Sequence, residues 1–359
     1  MKKLLLLAFI LLLVIGGYLA WLVVGPTTGF EEKVKYLYIP TDSAKKELIL
    51  HIIKRDSIVN NPTMFSMIGD RLDYWKNIKP GKYKVEKGNS VLKIVRELRN
   101  GKQEPVKIVI VKFRTKEALA GAIARKLEID STAFLSFLNN NDSLKKFGLD
   151  SNTSMSALFP DTYTYFWNTT PSKVFSKFFE EHERVWTPVR KEKAIQHNLS
   201  PTEAYILASI IEEETNDAAD KPIMASVYLN RLSKGIKLGA DPTVKFAMKN
   251  FELKRIYEKY TLFESPYNTY RNAGLPPGPI CTPSLVTLDA VLNAPQTDYL
   301  YFVANSDFSG KHIFTSSYEE HLKYAKQYQE ALNEWMRQHN ELDSTKAALQ
   351  SAPVFKGHQ

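Results

Sequence analysis

Leu4 to Val24 is an uninterrupted apolar run of 21 residues, preceded by Lys2 and Lys3. About 20 apolar residues in a helix suffice to cross the hydrocarbon core of a bilayer. The rest of the chain must then fold on one side of a membrane, tethered at its start. The two lysines predict that residues 1–3 stay in the cytoplasm and that everything after Val24 lies outside it. Tyr18 and Trp21 suit the outer interface. The rival reading is a cleaved signal peptide, but its apolar core is normally shorter and no small-x-small cleavage site follows. A retained single-pass anchor in the cytoplasmic (inner) membrane is the expectation.

The chain has 359 residues, enough for about two soluble domains. A hydrophobic content of 44% allows a real core, which argues against wholesale disorder. The formal net charge of +9 admits nucleic acid, anionic lipid or an anionic polymer such as a cell wall as partner. The positive charge is spread out, with no basic run interleaved with aromatics, so no nucleic-acid partner is expected. A single cysteine, Cys281, leaves no intrachain disulfide, and the histidines show neither HExxH nor other metal spacing. No phosphate-cradling GxxxxGK loop is present. Neither a metal nor a cofactor is expected.

Residues 25–32 read as a linker. Three strand–turn–helix patterns follow. They run from Lys35–Ile39 into Leu48, Ile49 and Ile52, from Tyr83–Val85 into Val91, Ile94, Val95 and Leu98, and from Val109–Val111 into Leu119, Ile123 and Leu127. From about 131 to 190 the patterns are mostly helical, interrupted by Ala157–Tyr163 with its Pro-Asp turn. Asp220 and Pro222 open a further helix that Gly235 ends. Loop motifs follow at Gly239–Val244, Tyr267–Tyr270 and Gly274–Ile280, a clustering that suits substrate contacts. Tyr299–Val303 predicts a strand paired with His312–Thr315, and the last helix is expected from about Ser317 to Arg337. The fold class is α+β.

The chemistry concentrates in SPTEAYILASIIEEETN, from Ser200 to Asn216. Ser200, Pro201 and Glu203 predict a capped helix start with a capping box. Ala204, Leu207, Ala208 and Ile211 form an apolar stripe at helical spacing. Glu212, Glu213 and Glu214 then crowd the helix C-terminus, against the preference of the helix dipole for cations there. At about 100° per residue Glu213 points away from the stripe and is expected to be solvated, whereas Glu212 and Glu214 flank it, about 160° apart. A carboxyl beside apolar groups has its pKa raised and becomes a general acid near neutral pH. Helix geometry does not choose between these two, and a wholly solvated helix end is the bland alternative.

Taken in order, LASIIEEET, Asn230-Arg231-Leu232, Asp241–Val244 (DPTV), Tyr267–Tyr270 (YNTY), Gly274–Ile280 (GLPPGPI) and Tyr299–Val303 (YLYFV), with Phe159–Tyr163 (FPDTY) upstream, resemble the endolytic murein transglycosylase family, the YceG-like proteins. The segment YKVEKGNSVLKIVRELRNG within it resembles a LysM module, a small βααβ unit associated with N-acetylated glycans. Where the family often has E-K-E-T, this chain has Glu213. The resemblance implies an N-terminal transmembrane helix at 4–24, a LysM-like α+β region at 33–105, a mixed α+β catalytic domain at 106–338 with its active-site core at about 200–320, and a polar tail at 339–359. It implies a membrane-anchored lyase that cuts the β-1,4 bond between N-acetylmuramic acid and N-acetylglucosamine in peptidoglycan, leaving 1,6-anhydro-muramyl ends. Glu212 is the implied catalytic residue. Glu214, Asn230, Asp241, Tyr267, Asn268, Thr269 and Tyr270 are candidate substrate-binding residues. Among them Glu214, Asp241 or Asn268 could also steady the charged transition state or orient Glu212, while Tyr267 and Tyr270 could stack on sugars. The expected partners are peptidoglycan glycan strands, the membrane and peptidoglycan synthases. The alternatives are a non-catalytic peptidoglycan-binding scaffold and a muramidase-type hydrolase with Asp241 as second carboxylate.

Overall fold

In the computed structural model the described residues are 2–351 apart from 254, with side chains described as far as 338. The end of the expected tail, 352–359, lies outside them. Helix α1, Lys2–Val24, is long and apolar enough to cross a membrane, and none of its residues is buried against protein. The chain falls into two compact units, in a mixture of helix and sheet.

The first unit comprises Met1–Ile110, Glu117–Phe137 and Asp161–Lys177. Strand β1 (Val34–Ile39) is followed by α2 (Lys46–Arg55) and α3 (Pro62–Arg71), then by β2 (Gly81–Glu86). The strands pair antiparallel, Leu37 opposite Tyr83 and Lys35 opposite Val85. Alternation turns Tyr83 and Val85 inward. In α4 (Val91–Asn100) the residues Val91, Ile94, Val95 and Leu98 share one buried face, the i, i+3, i+4, i+7 set of an amphipathic helix. Ser90 caps that helix by accepting from Lys93 N at 3.2 Å, and Gly101 ends it with φ +70°. The three strand–turn–helix patterns are therefore not separate repeats. The first two close on one core through β1 and β2, and the βααβ order spans Val34–Glu86 rather than the expected segment beginning at Tyr83.

Strand β3 (Val106–Ile110) pairs antiparallel with β4 (Asp161–Tyr165), a much later segment, with α5 (Lys116–Ala124) and α6 (Ser131–Leu138) in between. That pairing draws residues 117–137 and 161–177 into the first unit, so a boundary at 105 does not describe its extent. The stretch 25–32 is not a free linker either. Thr27 and Phe30 are buried, Thr27 N donates to Asn89 O at 3.1 Å, and Asn60 N donates to Thr27 O at 2.7 Å.

The second unit comprises Val111–Lys116, Leu138–Pro160 and Phe178–Gln359. It begins its helices with α7 (Asn141–Lys145), takes the later part of α8 (Pro171–Val185), and continues through α9 (Pro188–Gln196) to α10 (Pro201–Glu214). The capping box of α10 forms as expected: Ser200 Oγ accepts from Glu203 N at 3.2 Å, and Ser200 N donates to Glu203 Oε2 at 2.8 Å. The single stripe does not describe the rest of the helix. All eight residues from Ala204 to Ile211 are buried, so α10 is enclosed on every side at the centre of the core.

Around α10 pack α11 (Asp220–Ser233), α12 (Asp241–Ala247) and α14 (Leu285–Leu292), with the short α13 (Glu258–Thr261) between the last two in sequence. Gly235 follows α11 with φ +67°, the left-handed stop expected of it. The Gly274–Ile280 loop is pinned to α10 where Ile280 N donates to Ser209 Oγ at 3.0 Å. Strands β5 (Tyr301–Ala304) and β6 (His312–Thr315) form the expected hairpin, and α15 runs from Tyr318 to Ser351, well past Arg337.

Candidate active site

The three glutamates in the last turn of α10 meet three different environments. Glu213 is not solvated. Its carboxylate is paired with Arg114, from Nε at 3.0 Å and Nη2 at 2.8 Å, and with Lys112 at 3.1 Å. The wheel angle treated its side of α10 as open, but the 111–116 segment covers it.

Glu212 is gripped as an anion. Its Oε2 accepts from Lys221 Nζ at 3.1 Å, from Ser284 Oγ at 3.0 Å and from the Thr287 hydroxyl. Lys221 is itself buried and also donates to Thr287 Oγ1 at 2.6 Å. Burial pushes the Glu212 carboxyl up, but the bonds from Thr287, Lys221 and Ser284 together outweigh it and hold the group below the ordinary glutamate range. This is the reverse of the raised value expected for a general acid.

Glu214 carries that raised value. Its carboxyl is pushed up to about 7, chiefly by burial and further by Asp241, against an opposing bond from Tyr228. Tyr228 Oη donates to Glu214 Oε1 at 2.6 Å. Glu214 lines a cleft of about 370 Å³ together with Arg231, Asp241, Tyr270, Tyr301, Tyr318 and His321. Asp241 opens α12, and Tyr270 Oη donates to its Oδ1 at 2.6 Å. Burial raises the Asp241 carboxyl as well, with Tyr270 and Lys245 opposing. Two carboxyls of raised pKa, each carrying a tyrosine hydroxyl, thus share one cleft. Gly239, in the loop before Asp241, has φ +58° and lies beside the Tyr270 ring, a left-handed turn that a side chain would strain.

Of the residues expected to bind substrate, the cleft brings together Glu214, Asp241 and Tyr270. The others serve the scaffold. Asn268 is fully buried: its Nδ2 donates to Thr261 O at 2.9 Å and Phe263 O at 2.7 Å, and its Oδ1 accepts from Tyr270 N at 3.0 Å. Thr269 is buried too, its Oγ1 accepting from Ala240 N at 2.9 Å and lying 2.8 Å from Thr243 Oγ1. These two fix the loop that aims Tyr270 at Asp241. Asn230 Nδ2 donates to Thr297 O at 2.8 Å and Tyr299 O at 3.0 Å, tying down the entry to β5. Tyr267 packs on Phe246 with ring centroids 4.8 Å apart and is not a cleft residue.

Residue-level reasoning missed Tyr228, which counts in sequence as one more apolar position of α11. It also missed Lys221 and Thr287, which nothing local sets apart. Arg231 was visible inside the NRL motif but had no assigned role. Here its Nε donates to Leu300 O at 2.6 Å and Nη1 to Leu238 O at 2.7 Å, joining the hairpin to the loop before α12. Among the described residues no group of three or more His, Cys, Asp or Glu side chains could hold a metal ion.

The pattern of the YceG-like family matches residues 37–327. The chain is 28% identical over 311 residues to an endolytic murein transglycosylase of Bacillus subtilis, covering 82% of this chain and 85% of that one. It is 26% identical over 349 residues to an endolytic murein transglycosylase of Streptococcus pneumoniae, covering 88% of this chain and 63% of the longer relative. A yceG-like protein from Listeria monocytogenes, solved by crystallography, superposes with a TM-score of 0.53 at 26% identity, covering 82% of this chain and 99% of that one.

Proposed function

This chain belongs to the YceG-like family, and on that premise we propose that it is an endolytic murein transglycosylase in which Glu214, rather than Glu212, is the general acid and base. The reaction is cleavage of the β-1,4 bond between N-acetylmuramic acid and N-acetylglucosamine without water. The observation that carries the choice is the carboxyl of Glu214. It is half-buried beside Asp241 and lines the cleft, and desolvation there pushes its pKa up to about 7. Glu212 is anchored as a carboxylate by a buried lysine and two hydroxyls, which suits it to fixing the end of α10.

The chemistry follows from the hydrogen bonds. Tyr228 occupies Oε1 of Glu214, which leaves Oε2 as the oxygen that carries the transferable proton. Glu214 gives that proton to the glycosidic oxygen as the bond to C1 breaks. The resulting carboxylate, steadied by the Tyr228 hydroxyl, takes the proton of the muramyl C6 hydroxyl, which attacks C1. The product is a 1,6-anhydro-muramyl end. One carboxyl thus serves in both steps, and the tethered nucleophile loses little entropy at attack. General acid–base help of this kind typically contributes about 10²–10⁴-fold. Asp241 adds to the desolvation that raises the pKa of Glu214 and offers a partial negative charge to the oxocarbenium-like state.

Helix α1 anchors the enzyme in the cytoplasmic membrane with its N-terminus inside, so the cleft works on the outer side, beside newly made strands and their synthases. The LysM-like reading of the region that contains β2 and α4 assigns it to holding glycan. Asp241 in the same cleft favours a second reading, a hydrolase with two carboxyls.

The deciding experiment incubates the parent, Glu214→Gln and Glu212→Gln proteins with uncrosslinked glycan strands and reads products by mass spectrometry. The expected result is internal anhydro-muramyl ends from the parent, loss of at least 10²-fold with Glu214→Gln, and residual activity with Glu212→Gln. Reducing ends carrying added water would replace the transglycosylase by the hydrolase. Loss confined to Glu212→Gln would return the acid to that residue. Binding without cleavage would leave a scaffold.

A further inference from the structure

One wall of the Glu214 cleft is a stack of rings. The His321 ring, in the first turn of α15, lies 24° from the plane of Tyr301 with centroids 5.3 Å apart, and 30° from Tyr318 at 6.2 Å. The Arg231 guanidinium sits 5.3 Å from the Tyr301 centroid. All four residues line the cleft, and Tyr318 is 59% exposed, so a ring face is open to a ligand. The packing of this wall leaves one polar atom unaccounted for. His321 Nδ1 is sealed from solvent and has no hydrogen-bond partner among the described residues. Buried side-chain nitrogens are nearly always partnered, so an exception in a cleft asks for a function.

The protonation of the ring narrows what that function is. Burial, and after it the charge of Arg231, pushes His321 below the usual histidine range, so the ring is neutral at pH 7 and carries one N–H. A sealed nitrogen with no acceptor nearby is better left as a bare lone pair than as an orphan donor. That assigns the hydrogen to Nε2, the ring nitrogen that can reach a ligand. The wall therefore offers a neutral donor, a cation behind it and flat apolar ring faces. An acetamido group matches all of these, with a strong carbonyl acceptor for the N–H and a planar amide and methyl for the rings.

We infer that His321 is a substrate-binding residue whose Nε2–H donates to the acetamido carbonyl of a sugar held against the Tyr301–Tyr318 wall, so that the cleft selects N-acetylated over de-N-acetylated glycan. The inference rests on the transglycosylase reading for its substrate class. It gives His321 a task in recognition that is separate from the proton transfers at Glu214.

The test measures kcat and KM of the full chain in detergent on three forms of one preparation of uncrosslinked strands: native, chemically de-N-acetylated, and re-acetylated. The parent is expected to lose about tenfold in kcat/KM on de-N-acetylation and to recover it on re-acetylation, as for loss of one buried hydrogen bond. His321→Ala is expected to lose about tenfold on native strands, mainly through KM, and almost nothing further on de-N-acetylated ones. His321→Gln, which restores an N–H, should recover part of the discrimination. A merely structural role would lower turnover of all three substrates alike. That result, or a His321→Ala protein that discriminates as strongly as the parent, overturns the inference. Calorimetric binding of the same strands to Glu214→Gln protein, with and without His321→Ala, reads the contact in the absence of turnover. Failure of the parent to cleave would therefore count against the enzyme reading, whereas equal binding of native and de-N-acetylated strands would count against His321.

Discussion

Tyr228 Oη donates to Glu214 Oε1 at 2.6 Å, which joins the middle of α11 to the last residue of α10. Tyr228 is fully buried, so this hydroxyl cannot turn to water. The bond opposes the raising of the Glu214 pKa by burial and by Asp241. The balance among these three influences sets the pH at which the cleft can act as an acid.

If protonated Glu214 is the active form, kcat/KM falls as pH rises through about 7. Tyr228→Phe removes the bond that lowers Glu214, so the falling limb should move to higher pH. Asp241→Asn removes the negative neighbour that raises it, so the limb should move to lower pH. The measurement is kcat/KM against pH for the three proteins. Limbs that stay together would remove Glu214 as the titrating acid.

The same pKa has a stability signature. Between the ordinary glutamate value of 4.5 and about 7, the folded chain keeps a proton that the unfolded chain has released. Stability is therefore fully present below that window and declines as pH rises through it. Glu214→Gln cannot ionise and keeps an acceptor for Tyr228. It should be more stable than the parent at pH 8, by about 2–3 kcal/mol, and nearly equal to it at pH 4. Urea unfolding at the two pH values checks both the sign and the window.

Glu212 has the opposite linkage. Its depressed pKa contributes stability that is present above the ordinary glutamate value and is lost as pH falls through the folded-state value. Lys221→Met leaves this carboxylate largely buried without its cation and should cost about 3 kcal/mol at pH 7. Adding Glu212→Gln to Lys221→Met should restore part of that loss. Two single costs that simply add in the double variant would mean the pair is not coupled.

A chain that begins after Val24 loses the segment that can span a bilayer. It should leave the membrane fraction and cleave soluble strands at a rate within a few-fold of the whole chain in detergent. Fractionation followed by the product assay tests this. A shortened chain that stays with membranes would point to a second membrane contact.

Much of the architecture is written locally. The capping box at Ser200 and Glu203, the stop at Gly235, the β5–β6 hairpin and the apolar run of α1 depend on neighbours in sequence, and each forms where its residues predict. Residues far apart in the chain decide the rest. Strand β3 takes its partner from β4, which reorders the units, and no local pattern encodes that pairing. The three glutamates are the sharpest case. A helical wheel assumes one buried side, but α10 is enclosed all round, so angle alone does not tell solvent from neighbour. Glu212 is held as an anion because Lys221 and Thr287 arrive from α11 and α14. Glu213 is paired because the 111–116 segment brings Arg114 and Lys112 to it. Glu214 has its pKa raised because burial, with Asp241 beside it, outweighs the bond from Tyr228. The sequence by itself placed three identical side chains on one turn. What separates them is desolvation and the partners brought in by tertiary packing, because a carboxyl's behaviour is a property of its surroundings.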